Sequence, residues 1–257
     1  MPPRPCTTFR FYEELNDFLA PALRGHEFEH RCADSATTKH AIEALGVPHT
    51  EVELVLVNGE SVGFERRLRD GDRVEVYPKF ERLDITPLLR VRAQPLRMIR
   101  FVADAHLGGL ARLLRMTGFD TRFDNGLRDD EVVALALAED RIVLTRDREL
   151  LKRRRVTHAC YVHTLPPADQ LREVFDRLDL AASARPFTLC LVCNAPLQAV
   201  DKALVAAALP PSVRDRHQRF SRCERCLRVF WEDSHWQRMR SMIDELLALD
   251  QPIRQRP

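Results

Sequence analysis

Two Cys-x-x-Cys pairs, Cys190/Cys193 and Cys223/Cys226, constrain this chain more than any other feature. Each pair presents two thiolates from one tight turn, and two pairs complete a tetrahedron around a single ion. Zn²⁺ suits that donor set, with Zn–S near ~2.3 Å and no open coordination position. The competing reading is a disulfide pair or four buried thiols, and the paired spacing stands against it. The flanks Thr188-Leu189-Cys190 and Phe220-Ser221-Arg222-Cys223 read as short strands entering metal knuckles. A closed four-thiolate site is structural. It marks where a module folds and says nothing of a reaction.

At 257 residues the chain has room for one large domain or two to three small ones. An apolar fraction of 45% and a charged fraction of 30% fit a soluble globular protein, and a net charge of +2 gives no global argument for a nucleic-acid partner. No apolar stretch is long enough for a transmembrane helix, and Met1-Pro2-Pro3-Arg4-Pro5 lacks the apolar core of a secretory signal. The remaining cysteines, Cys6, Cys32 and Cys160, are scattered, which suits a reducing cytoplasm.

Strand signals at Thr7–Tyr12, Glu27–Cys32, Glu51–Val57 and Arg73–Tyr77 surround one helix signal at Thr37–Leu45. Turns are expected at Asn58-Gly59 and Asp70-Gly71-Asp72. That order predicts a small α+β roll over 1–80, a helix packed on one face of a mixed sheet. The proline-bearing stretch 81–97 reads as a linker. From 98 to 186 strands and helices alternate. Strands are expected at Arg100–Ala103, Thr121–Phe123, Arg141–Thr145 and Ala159–His163, with helices over Leu107–Leu114, Val132–Ala138 and Pro167–Leu180. The pattern predicts an α/β fold with a parallel sheet and flanking helices. The cysteine module fills 187–257, with helices expected over Ala199–Ala208 and Ser234–Leu249.

In a parallel sheet the strand C-termini share one edge, where ligands bind. Asp104, Asp124 and Asp147 each follow a predicted strand, and Asp129 and Asp130 open the helix after the second one. Carboxylates gathered there would repel one another unless a cation sat among them. Mg²⁺ and Mn²⁺ are natural guests of an all-oxygen site and can activate water against a phosphodiester. The bland alternative is that each aspartate only caps the helix it precedes.

The run from Phe101-Val102-Ala103-Asp104-Ala105-His106-Leu107-Gly108-Gly109 to Leu113-Leu114-Arg115 resembles the opening of the Mut-seven C-terminal RNase domain, a branch of the PIN-like nucleases. The similarity continues through Gly118-Phe119-Asp120-Thr121, Asp129-Asp130-Glu131, Leu144–Leu150 and Gln170–Val174. It reaches Arg228-Val229-Phe230-Trp231 and Ser234-His235-Trp236 in the cysteine module. The resemblance implies a PIN-like fold with a C-terminal zinc ribbon and metal-dependent RNase activity. Asp104, Asp130 and Asp147 match the family's acidic positions best, with Asp124 after them. Residues 1–80 are similar to the ubiquitin-like β-grasp domain that precedes this RNase domain in some bacterial proteins. Sulfur-carrier proteins share that fold but need a free Gly-Gly C-terminus. Here Val74-Glu75-Val76-Tyr77-Pro78-Lys79 runs on into the linker, so a docking or regulatory role with a protein partner is expected instead.

A basic run around Asp147, comprising Arg146, Arg148, Lys152, Arg153, Arg154 and Arg155, is a candidate RNA-phosphate surface, or else a solvated helix face. Arg112 and Arg115 are weaker candidates. In the ribbon, Arg219, Arg222, Arg225 and Arg228 stand near Phe220, Phe230 and Trp231, which either stack bases or form a small core. His106 and His163 are candidates for proton transfer, and His217 and His235 are spare zinc donors. Two other function classes stay open. One is a non-catalytic RNA- or ribosome-binding protein, and the other is an interaction module led by the β-grasp segment.

Overall fold

The computed structural model describes residues 5–78, 99–153 and 155–249. The expected linker over 81–97 and Arg154 of the basic run lie outside the described residues. The chain divides into two compact units. One joins the N-terminal segment to Asp129–Tyr161, and the other joins Ile99–Arg128 to the segment from Val162 onward.

In the first unit, β1 (Cys6–Phe11), β2 (Phe28–Arg31), α1 (Thr38–Ala44), β3 (Leu54–Val57), β4 (Glu60–Val62) and β5 (Arg73–Tyr77) build a five-stranded sheet of order β2-β1-β5-β3-β4. β1 runs parallel to β5, while the β1–β2, β3–β5 and β3–β4 pairs are antiparallel. Alternation along β1 buries Phe9 and Phe11, which meet Ile42 of α1 and Val55, Val74 and Val76 of the sheet. Thr37 caps α1 by accepting the His40 N–H at 3.3 Å. This is the mixed α+β roll that the strand pattern predicts, and it has the β-grasp form that the resemblance implies. β4 was not foreseen. It exists because Asn58 (φ 54°) and Gly59 (φ 83°) both take left-handed backbone, which makes the two-residue loop a hairpin turn rather than a strand end.

The same unit holds the helix α3 (Asp129–Glu139) and a parallel strand pair between Ile142 and Tyr161. The β-grasp roll meets this segment through polar and aromatic contacts. His49 Nε2 lies 2.8 Å from the Val156 carbonyl, and the Tyr161 N–H donates to Glu51 Oε1 at 2.8 Å. The Phe18 and Tyr161 rings meet edge to face at 5.2 Å. A buried carboxylate thus serves a strand N–H.

In the second unit β6 (Phe101–Ala103) pairs in parallel with β7 (Thr121–Phe123), joined by α2 (Gly108–Met116). In chain order there follow α3, β8 (Ile142–Thr145), α4 (Arg148–Leu151) and β9 (Ala159–Tyr161) of the first unit, and then α5 (Pro167–Leu178) of the second. Gly108 and Gly109 open α2 and set how closely it packs. A Cβ at Gly108 would come within 2.6 Å of the Phe123 ring, and one at Gly109 within 2.6 Å of Pro167 Cγ. Phe101, Phe119 and Phe175 form an edge-to-face chain through the core, with centroids 5.9 and 5.7 Å apart.

The C-terminal module contains β10 (Leu197–Val200), α6 (Lys202–Val205), α7 (Pro211–Arg216), β11 (Phe220–Cys223), β12 (Val229–Trp231) and α8 (Ser234–Leu249). The three strands are antiparallel, in the order β10-β11-β12. The helix expected over Ala199–Ala208 is corrected. Pairing with β11 draws Leu197–Val200 into the sheet, and Asp201, accepting the Ala203 N–H at 2.9 Å, starts a shorter helix. Tertiary pairing overrides helix propensity here. The strand expected at Thr188–Cys190 reduces to an isolated bridge between Leu189 and Pro196. The architecture as a whole is α/β, with parallel strands flanked by helices, an N-terminal β-grasp sheet and a cysteine module near the C-terminus.

Candidate metal centre and acidic sites

The two cysteine turns are built alike. The Asn194 N–H donates to the Cys190 carbonyl at 2.9 Å, and the Leu227 N–H to the Cys223 carbonyl at 3.0 Å. The residue after each second cysteine is left-handed, Asn194 at φ 64° and Leu227 at φ 60°. Asn tolerates that region, whereas Leu rarely enters it, so the second turn is held by its surroundings. The four Sγ atoms lie within 4.8 Å of one another. Cys190 and Cys226 are 3.6 Å apart, and Cys193 and Cys223 3.3 Å. Thiolates ~2.3 Å from a tetrahedral ion stand ~3.8 Å from each other, so spacing and donor set fit Zn²⁺.

The proton affinities of these thiols diverge. Burial pushes Cys190 up to about 12. Burial acts on Cys223 too, but the Cys226 N–H, the Cys193 side chain and the Arg225 N–H outweigh it and hold Cys223 at about 7. Crowded thiols cannot all ionise without a cation among them.

The first knuckle is bolted to β7. Arg115, expected as a weak RNA contact, is buried instead. Its Nε and Nη2 donate to the Thr121 carbonyl at 3.0 and 2.9 Å, and its Nη1 to the carbonyls of Leu191 and Val192 at 3.2 and 3.0 Å. Burial lowers its pKa. Asn194 Oδ1 accepts the Thr121 N–H at 3.0 Å, and its Nδ2 donates to Asp120 Oδ1. Spacing gave no sign of this, because the partners are some 70 residues apart in sequence.

The aspartates are each settled locally. Asp104, directly after β6, is buried, and its Oδ1 accepts the Ala105 N–H at 2.6 Å. Asp124, after β7, accepts the Gly126 N–H at 2.8 Å. Asp147 follows β8 by two residues, accepts the Glu149 N–H at 2.8 Å, and donates its own N–H to Thr145 Oγ1. Asp129, Asp130 and Glu131 form the acidic first turn of α3. Among the described residues, the cysteines are the group of three or more such side chains that comes together closely enough to hold an ion.

The basic run is largely paired within the protein. Arg148 Nη2 donates to the Asp17 carbonyl at 3.1 Å, and its guanidinium lies 4.9 Å over Phe18 and 5.6 Å over Tyr161. Lys152 pairs with Glu149 at 2.9 Å, and Arg153 with Asp129 at 2.8 Å. Arg146 is half-buried. His163 Nδ1 meets Glu173 Oε1 at 2.8 Å, and Glu173 also accepts the N–H groups of His163 and Thr164 and the Thr164 hydroxyl. Burial alone would raise Glu173; the His163 ring, those N–H groups and the hydroxyl outweigh it and hold the carboxyl at about 2. Cys160 is buried, as its mid-strand place predicts.

No helix among the described residues is long and apolar enough to cross a membrane. A family model described as Mut7-C RNAse domain matches residues 99–243, and one described as Mut7-C ubiquitin matches residues 4–84. No curated protein and no solved structure matches the chain. The RNase match spans more than half of the chain and takes in β6, the aspartates of the strand ends and all four cysteines, and it points to nuclease function. With a ubiquitin-like roll ahead of strands, helices and cysteine module, the chain belongs to the Mut7-C RNase domain family.

Proposed function

We propose that the protein is a metal-dependent ribonuclease that hydrolyses RNA phosphodiester bonds, with Asp104, Asp130 and Asp147 holding Mg²⁺ or Mn²⁺ and Asp124 completing the site. The observation that carries this reading is one local design used three times. Asp104, Asp124 and Asp147 each stand just beyond the C-terminal end of a parallel strand and accept an N–H of the following turn through Oδ1. In parallel sheets those strand ends share an edge. A carboxylate has about four lone-pair sites, so a cap bond at one oxygen orients the group and leaves it able to accept more. The donor set is all oxygen, which suits a hard divalent cation. Bound there, such an ion would activate water and offset charge on the leaving oxygen.

The chain's own contribution is orientation. The turn after each strand fixes a carboxylate before any ligand arrives, and Thr145 anchors the Asp147 backbone. Zn²⁺ on the four cysteines would be structural, since four thiolates leave no position open. Cys6, Cys32 and Cys160 are free thiols, which supports a reducing, cytoplasmic setting. The β-grasp roll would still offer its remaining surface to a protein partner.

The test is cleavage of end-labelled single-stranded RNA with Mn²⁺ or Mg²⁺ by wild type, Asp104→Asn and Asp147→Asn. Asn caps a helix about as well as Asp, so each variant keeps its stability to within about 1 kcal/mol and loses cleavage. A purely capping role predicts that both variants cut RNA as wild type does, and that result would end the proposal.

A further inference from the structure

We infer that the cysteine module carries a second RNA-binding site, a groove on one face of its three-stranded sheet that takes unpaired bases. The inference rests on RNA being the substrate, and it assigns the groove to holding the strand away from the acids.

The sheet has two apolar faces. Val200, Phe220 and Trp231 lie opposite one another across β10, β11 and β12, and that row packs with Val205 and Leu209 into the module's core. One residue along, Ala199, Ser221 and Phe230 form the next row and point to the other face. There a cavity of about 660 Å³ opens, walled by Phe187 and Trp236. Their rings are 5.0 Å apart and tilted by 37°. Ala199 and Ser221 are small where larger side chains would fill the floor. The volume lies in the range of ligand sites, about 300–1,000 Å³.

The rim supplies the charge. Arg112, Arg219 and Arg228 border the cavity, and Arg112 and Arg228 are exposed and have no ion-pair partner among the described residues. Arg219 meets Glu232 at 2.5 Å, and Asp233 Oδ1 is occupied by the Trp236 N–H at 2.8 Å. From Arg219 to Arg228 four arginines stand against one acid, Glu224. Aromatic faces beside unpaired arginines, with a floor of small residues, match a polyanion carrying flat bases. An apolar peptide would use the floor and leave the arginines without a purpose.

The test uses the full-length, zinc-loaded protein without added Mg²⁺ or Mn²⁺ and a labelled single-stranded RNA of about 12 nucleotides, followed by fluorescence anisotropy. Trp236→Ala is expected to weaken binding about 5-fold or more. Ala199→Trp, which fills the floor, does the same, and Arg228→Gln flattens the salt dependence by about one unit of slope. Zinc content and circular dichroism confirm that each variant is folded. Wild-type affinity in both Trp236→Ala and Ala199→Trp would overturn the site. So would Ala199→Trp altering self-association while RNA affinity stays. If Asp104→Asn abolishes cleavage while the groove variants bind normally, the groove alone has failed. If nothing cleaves RNA yet the groove variants lose it, the nuclease reading alone has failed.

Discussion

In the cysteine module two turns of the same build bring four ligand atoms within 4.8 Å of each other, whereas each strand-end aspartate is settled by the turn that follows it. A Cys-x-x-Cys turn sets half of a ligand shell by itself, so only one long-range fact, that two turns face each other, remains to be supplied. An aspartate after a strand sets only its own oxygen. Everything else about an acidic site is a property of how distant segments fold. The first kind of site is legible from spacing. The second is legible only as a recurring position.

The sharpest break of that comparison is removal of one half-shell. Cys190→Ser with Cys193→Ser should abolish zinc binding and unfold the C-terminal module, because structural zinc contributes roughly 10–16 kcal/mol in small zinc domains. Metal analysis and thermal unfolding check it, and a variant that melts like wild type would remove zinc from the account of this fold. Next in size is Arg115→Met. It would leave the carbonyls of Thr121, Leu191 and Val192 without their buried donor, a loss of about 3–9 kcal/mol at about 1–3 for each group. The melting temperature should fall while the isolated knuckles keep their ligand spacing and their zinc.

Glu173 sharpens the acidic side of the comparison. Its carboxylate accepts the N–H groups of His163 and Thr164 and the Thr164 hydroxyl and meets the His163 ring. Its carboxyl sits at about 2 in the folded protein against 4.5 for an ordinary glutamate. The folded value is depressed, so the stabilisation is present above about pH 4.5 and is lost as pH falls through 2. Its size is on the order of 3 kcal/mol, from about 1.4 kcal/mol per unit. Glu173→Gln should therefore lower stability at neutral pH and flatten the acid limb of a denaturation series. A limb of unchanged steepness would show that other carboxylates dominate it.

Much of the fold could be read from local pattern. β5, β7, β11 and α8 fall where alternation and periodicity put them. What could not be read was set by partners far away in sequence. Leu197–Val200 looks helical and becomes a strand because β11 is beside it. Arg115 looks like a surface cation on an amphipathic helix and is buried because two knuckle carbonyls need it. The cysteines and the strand-end aspartates could be picked out as candidates, yet Glu173, Glu51 and Asn194 could not. Their roles lie in backbone groups that they satisfy, and side-chain spacing carries no trace of those.

Arg148 adjoins Asp147 and belongs to the basic run that the sequence offers as an RNA-phosphate surface. Its guanidinium lies over Phe18 and Tyr161 and reaches the Asp17 carbonyl, so its charge is spent on holding the β-grasp roll to the segment that bears Asp147. A cation over two rings at a half-buried place contributes about 0.5–2 kcal/mol. Lys keeps the charge but loses the planar face and the fork that reaches the carbonyl. Arg148→Lys should then cost about 1 kcal/mol, read as a small drop in melting temperature, with RNA affinity unchanged. Arg148→Ala should cost somewhat more, again without altering the salt dependence of RNA binding, since no phosphate contact is removed. A loss of affinity in the alanine variant with normal stability would reverse the assignment and return Arg148 to the RNA surface. The aspartate and the arginine beside it would then serve one ligand, and the acidic site would be more like the cysteine centre than its local contacts suggest.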